Sequence, residues 1–283
     1  MPLQYNEYYN EQTGLTIGLK RLLFSEQSPY QRVEVYETDT WGNLMTIDGM
    51  VMLSERDEFV YHEMLSHVAM FTHPNPEKVL IIGGGDGGTA REVLKHPSVQ
   101  DVDLVEIDET VVRASKAFLP NVGNFDHPNL ELHFEDGIQF VQSSENKYDV
   151  IIIDGSDPVG PAEGLFEKEF YQFCFNALRS DGVLTSQTES PWVASYHPSI
   201  KKVFHALDDL FPNSHMFLSF IPLYPAGMWS MACASKSASP LDEQVIERVQ
   251  AGVSQIEPLR YYNPDIHKAA FALPVFVSDL IKR

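Results

Sequence analysis

Apolar and polar residues in the first 56 positions alternate in the period of a β-strand, and turn residues break the run into QRVEVYET, TWGN, LMTIDG and VMLSE. This predicts a small antiparallel β unit over residues 1–56. From Asp57 to Phe71 the spacing becomes helical, with Phe59, Val60, Met64, Leu65, Val68 and Phe71 on one face and Ser54 or Asp57 as candidate N-cap. HPNP at 73–76 ends that helix. Strands then alternate with helices: KVLIIGG, a helix from Thr89, VDLVEID, a helix from Glu109, LELHFED, a short helix, YDVIIID, a helix from Glu169, and VLTSQTE. Five strands joined through helices predict an α/β domain with a doubly wound parallel sheet. After a helix over 199–211, HMFLSFIP and MWSMACAS are joined only by LYPAG, too short for a parallel crossover. The sheet should therefore finish in an antiparallel hairpin. The expected division is a β domain over 1–56 and an α/β domain over 57–283, with a helical tail beyond Pro240 packing on the surface.

Composition narrows the partners more than the fold. The chain has 283 residues, 43% of them hydrophobic, and a mean hydropathy of -0.19, the balance of an ordinary globular protein. Forty acidic residues against 20 basic ones give a net charge of -20, which repels nucleic acid and anionic lipid at long range. No nucleic-acid or membrane partner is expected. MPLQYNEYYNEQ lacks the cationic start and apolar run of a signal peptide, and no stretch reaches about 18 apolar residues, so a cytoplasmic location is expected. Cys174 and Cys233 read as buried free thiols. In HEMLSH, His62 and His67 are five apart, about 140° around a helix, which does not suit the one-face zinc motif, and no metal is expected.

Ligands of open α/β sheets bind at the carboxyl ends of the strands, and here four consecutive ends are acidic. The first carries GGGDGG, the second Glu106 and Asp108, the third Glu135 and Asp136, the fourth Asp154 and Asp157. One such carboxylate is commonly a helix cap; four in succession point to a site. Gly83, Gly85 and Gly88 satisfy GxGxxG, but Asp86 inside the motif would oppose a pyrophosphate at the helix N-terminus and suits a cationic ligand better. Glu106 is placed to accept from both hydroxyls of a ribose, and Asp136, followed by Gly137, from an adenine amino group. The sheet order with its terminal hairpin points to the nucleoside-sulfonium class of the Rossmann-like fold. A methyltransferase would have to place its donor's carboxylate near Asp86, and a silent nucleoside or polyamine binder has no need of Asp154.

The chain resembles the spermidine synthases, which are polyamine aminopropyltransferases. The likeness covers most of the chain and rests on QRVEV at Gln31, DEFVYHEM with Tyr61 and His62, GGGDGG, VEID at Glu106, EDG at Glu135, DGSDPVGPAEGLF at Asp154, ESPW at Glu189 and YPAGMW at Tyr224. Gly155 departs from the small polar residue more usual in relatives. The resemblance implies a Rossmann-like, methyltransferase-type sheet and transfer of an aminopropyl group from decarboxylated S-adenosylmethionine, a co-substrate rather than a cofactor, to a diamine such as putrescine. It implies Asp154 as proton acceptor and Tyr61, His62, Asp157 and Tyr224 around the amine chain, with Asp86 expected to bind substrate at the positively charged aminopropyl end of the donor. Gln31, Gly83, Gly85, Glu106, Asp136, Gly137 and Pro161 would hold the nucleoside. A homodimer or larger homo-oligomer is implied as well. The Gly- and Pro-rich segment 154–168 is expected to be a lid, and Trp192 and Trp229 either to be core or to line the amine channel.

Overall fold

The computed structural model describes residues 3–156 and 160–282, without the side chains of 160–162. Five N-terminal strands, β1 (Leu3–Tyr8), β2 (Gly14–Gln27), β3 (Arg32–Thr38), β4 (Asn43–Ile47) and β5 (Met50–Ser54), form one antiparallel sheet in sequential order. Helix α1 (Glu58–Thr72) then leads into a seven-stranded sheet. Its strands are β6 (Lys78–Gly83), β7 (Asp101–Val105), β8 (Leu130–His133), β9 (Tyr148–Asp154), β10 (Leu178–Glu189), β11 (Asn213–Phe220) and β12 (Met228–Ser235). Between them lie α2 (Gly88–Val93), α3 (Glu109–Phe118), α4 (Gly137–Gln142), α5 (Lys168–Ala177) and α6 (His197–Leu210), and the tail holds α7 (Glu243–Gly252), α8 (Pro264–Ala270) and α9 (Val275–Leu280). The order across the sheet is β11-β12-β10-β9-β6-β7-β8, parallel from β10 to β8, with β12 antiparallel to both its neighbours. The α/β fold with a terminal antiparallel hairpin is as expected.

Strand alternation divides the core between the two faces of this sheet. Val79, Ile81, Val150 and Ile152 point toward α1, α2 and the tail, while Leu80, Ile82, Ile151 and Ile153 point toward α4, α5 and α6. Helix α3 instead covers the N-terminal sheet, packing Val111 and Ala114 against Val33, Val35 and Met45. That contact brings the β4–β5 edge over the carboxyl ends of the parallel strands.

Two expectations need correction. The tail is helical but is not surface packing: Val249, Ile256 and Tyr262 belong to the core on the α1 side, and His267 is fully buried. Because the tail lies over it, α1 has no solvated face, and every one of its residues except Phe59 is buried. Glu63, at a position that reads as exposed, accepts the backbone N–H groups of Arg260, Tyr261 and Tyr262 at 2.8, 2.9 and 2.7 Å. Asp57 occupies the N-cap position of α1 but does not cap with its side chain, which accepts from Ser54 Oγ and the N–H of Leu223.

Candidate active site

Strand order reverses between β6 and β9, the place where an open α/β sheet leaves a crevice. The turn after β6 is tight. Gly83, Gly84 and Gly87 have φ of 81°, 70° and 82°, and a Cβ on Gly83 would lie 2.2 Å from the carbonyl oxygen of Asp154. The backbone therefore runs against the end of β9, with the N–H of Gly84 donating to that carbonyl at 2.9 Å.

One cleft opens here, with about 1070 Å³ of empty space including its open mouth. Eleven of the thirteen expected site residues line it: Gln31, Tyr61, His62, Gly83, Gly85, Asp86, Glu106, Asp136, Gly137, Asp154 and Tyr224. Asp157 and the Pro161 side chain lie outside the described residues, as does part of the expected lid; its later portion, 160–166, is a 3-10 helix whose Leu165 lines the cleft. Met45, Ile47 and Met52 of the N-terminal sheet line the cleft from across.

Asp154 is held from both sides. Its Oδ1 accepts from the Tyr61 hydroxyl at 2.7 Å and its Oδ2 from Thr89 Oγ1 at 2.6 Å. Burial and then the neighbouring Asp86 raise its proton affinity, and His62, Thr89 and Tyr61 oppose them without cancelling. Tyr61 remains a neutral donor, since burial and the Asp154 charge push its phenol far up. At Asp86 burial works against the charge, yet His62 overrides it and the carboxyl sits below its usual range. His62 is likewise buried, but Asp86 and Glu58 outweigh that burial and hold the imidazole protonated well above its usual range. Donor atoms of His62, Asp86 and Asp154 lie within 4.8 Å of one another, a spacing a metal could span, but both His62 nitrogens already face carboxylates.

Just past the end of β7, Glu106 accepts the N–H groups of Gly85 and Asp108 at 3.2 and 2.9 Å, and burial still pushes its carboxyl up to about 7. Asp136 caps α4 through the N–H of Ile138, so the bland reading of a strand-end acid holds for it alongside its place in the cleft. Asp86 likewise accepts from the N–H of Gly88.

Tyr224 lines the cleft with its ring. Its hydroxyl donates to the Met52 carbonyl at 2.6 Å, tying β5 to the β11–β12 loop. That ring meets Trp229 edge-on at 4.8 Å between centroids. Trp229 and Gln187 line a side pocket that shares Tyr61, Tyr224, Met52, Gly155 and Ser156 with the main cleft. The indole N–H of Trp229 and Oε1 of Gln187 have no hydrogen-bond partner among the described residues. Trp192 is neither core nor channel: it is 59% exposed and packs on Phe276. Thr89, Gln187 and Glu58 escaped the sequence reading. Of these only Glu58 left a signal, its i,i+4 spacing to His62.

Comparison with known proteins agrees with this geometry. Residues 58–244 match the spermine/spermidine synthase domain and residues 4–55 the spermidine synthase tetramerisation domain. The chain belongs to this family. It is 46% identical to a polyamine aminopropyltransferase of Bacillus subtilis over 99% of both chains, and 46% identical to polyamine aminopropyltransferase 1 of Bacillus cereus over the whole of both. A crystal structure of spermidine synthase in complex with the transition-state analogue AdoDATO superposes with a TM-score of 0.93 at 42% identity, covering 99% of this chain and 96% of that one. The spermidine synthase of Thermotoga maritima superposes at 0.92, also at 42% identity and with the same coverage.

Proposed function

We propose that this chain transfers the aminopropyl group of decarboxylated S-adenosylmethionine to one nitrogen of putrescine, releasing spermidine and methylthioadenosine. The amine lone pair forms a bond to the carbon beside the sulfonium as the C–S bond breaks, and that electron pair leaves on sulfur as a neutral thioether. No acid is needed at the leaving group. The nitrogen must lose a proton, and Asp154 takes it. The observation that carries this reading is the setting of Asp154: a carboxylate at the switch point, steered by two neutral hydroxyl donors, with its proton affinity raised by burial and by Asp86.

Glu106 accepts from the ribose, Asp136 and the Gly137 N–H meet the adenine, and Gln31, Gly83, Gly85 and Pro161 complete the nucleoside site. The diamine runs into the side pocket between the Tyr61 and Tyr224 rings, where Gln187 Oε1 can accept from its far ammonium, and Asp157 is a further candidate to hold the amine chain. Asp86 and His62 border the aminopropyl end. No cofactor or metal takes part. Residues 1–56 form a separate unit from 57–283, and its outward residues Leu3, Tyr8, Leu22 and Tyr30, all more than 45% exposed, form the contact of a homo-oligomer. No described helix is long and apolar enough to cross a membrane; a cytoplasmic location is part of this proposal. Incubation with decarboxylated S-adenosylmethionine and putrescine, followed by mass spectrometry, tests the assignment. Spermidine and methylthioadenosine should appear in equal amounts; their absence overturns it.

A further inference from the structure

Both ring nitrogens of His62 face carboxylates. Nδ1 lies 2.6 Å from Glu58 Oε2, and Nε2 lies 3.1 Å from Asp86 Oδ1. An ionised carboxylate only accepts, and a neutral imidazole has one N–H and one lone pair. A neutral ring would press its lone pair against a carboxylate oxygen at one end, whereas the imidazolium donates at both. Glu58 is kept ionised by Arg91, whose Nη1 and Nη2 reach Oε1 and Oε2 at 3.0 and 2.9 Å. Nor can the ring turn away, for it is buried and wedged on Gly88, where an added Cβ would lie 2.3–2.6 Å from three ring atoms. Among the described residues, the charged groups around His62 are Glu58 on its own helix, Asp86 from the glycine loop, Arg91 from α2 behind Glu58, and Asp154 from the end of β9.

This makes the two aspartates unequal. Asp86 has a cation and the N–H of Gly88 against it, while among the described residues the Asp154 carboxylate accepts only from the neutral hydroxyls of Tyr61 and Thr89. Where two carboxylates share a small cleft, the one without a cation of its own takes a proton first. We propose that Glu58 is a positioning residue which, through the His62 imidazolium, keeps Asp86 ionised and so leaves Asp154 as the carboxylate that receives the proton of the amine. Its consequence for turnover rests on the aminopropyl-transfer reading; the charge states themselves do not.

Nitrogen NMR of the His62 ring and carboxyl-carbon NMR of Asp86 and Asp154 test this on the intact chain. In the wild type at pH 8 the ring should be doubly protonated, and from the acid side Asp86 should ionise before Asp154. In Glu58→Gln the ring should be neutral at pH 8, the gap between the two carboxyls should narrow about tenfold in proton affinity, and the acid limb of kcat/KM should move to higher pH. His62→Gln should move that limb equally, and adding Glu58→Gln to it should move it no further. A purely structural Glu58 would instead destabilise both backgrounds and leave the limb in place. A neutral His62 in the wild type, or a second shift in the double variant, overturns the proposal. If Glu58→Gln does not fold, the wild-type spectra and the His62→Gln carboxyl titration still decide it. A wild type that makes no spermidine would sink the proposed function, while the spectra would still read the ordering of the aspartates.

Discussion

Gly83 and Asp154 are register partners at the carboxyl ends of β6 and β9, and the Asp154 carbonyl sits where a side chain on Gly83 would have to go. The glycine loop and Asp154 are thus one piece of backbone geometry. Gly83→Ala should lose about 1–2 kcal/mol for its left-handed φ and more for the displaced strand end. Gly49 has nearly the same φ of 79° but nothing within 4 Å of an added Cβ, so Gly49→Ala should lose only the first part. Thermal unfolding of the two variants separates conformation from contact. Equal losses would mean that β9 yields to the Gly83 side chain.

Asp154→Asn keeps the shape but cannot take a proton. Turnover should fall about 10²- to 10⁴-fold, while methylthioadenosine affinity stays within a few-fold of wild type. Raising the pH should rescue part of the loss, because more of the free amine is then neutral. Turnover close to wild type at pH 7 would remove Asp154 from the mechanism.

The carboxyl of Glu106 should make nucleoside binding depend on pH. Burial raises it from 4.5 to about 7, so in the ligand-free protein it is protonated below that pH, and only the ionised form could accept from both hydroxyls of a ribose, as the proposed function requires. Affinity for methylthioadenosine should therefore rise with pH, up to about tenfold per unit below 7, and level off above it. The same shift bears on folding: between 4.5 and 7 the folded chain keeps a proton that the unfolded chain has lost, so this group's contribution to stability declines as pH rises through that window. Calorimetry from pH 5.5 to 8.5 gives the binding curve, and Glu106→Gln should flatten it.

Glu63 secures the tail by gathering three consecutive N–H groups. Glu63→Ala would leave those donors buried without an acceptor and should lower stability by about 2–4 kcal/mol. Glu63→Gln, which keeps one good acceptor, should lose about half as much. Denaturant unfolding measures both, and an alanine variant with wild-type stability would mean that water replaces the carboxylate.

What the sequence could and could not reveal follows the range of the interactions. Strand alternation in KVLIIGG and YDVIIID, and the shortness of LYPAG, are local, so the parallel sheet and its closing hairpin were legible. Asp86, Glu106 and Asp136 were legible because strand ends converge in this fold. Glu63 lies off the apolar face that the helical spacing predicts, and nothing local shows that a tail nearly 200 residues downstream covers it, while Glu58 is held by Arg91 from 33 residues away. Thr89 meets Asp154 across 65 residues, and the Tyr224 hydroxyl reaches Met52 across 172, contacts no periodicity encodes.

Asp86 should set the choice between donors. The decarboxylated donor presents only positive charge at its aminopropyl end, whereas S-adenosylmethionine would bring a carboxylate toward Asp86. Two like charges about 4 Å apart at an effective dielectric near 20 repel by about 4 kcal/mol. Here the His62 imidazolium, 3.1 Å from Asp86 Oδ1, offsets part of that charge, so a net preference of about 1–2 kcal/mol, or roughly tenfold, is the better expectation. Asp86→Asn should weaken binding of the decarboxylated donor and weaken S-adenosylmethionine less, narrowing the affinity ratio by about that factor. In His62→Gln the imidazolium is gone, and at a pH high enough to keep Asp86 ionised without it the ratio should widen instead. Opposite movements in the two variants are what electrostatic selection requires, since a helix-capping role for Asp86 would shift both donors together. Calorimetric titration of both donors into the three proteins reads the ratios directly, and an unchanged ratio in Asp86→Asn would leave donor selection to the shape of the cleft alone.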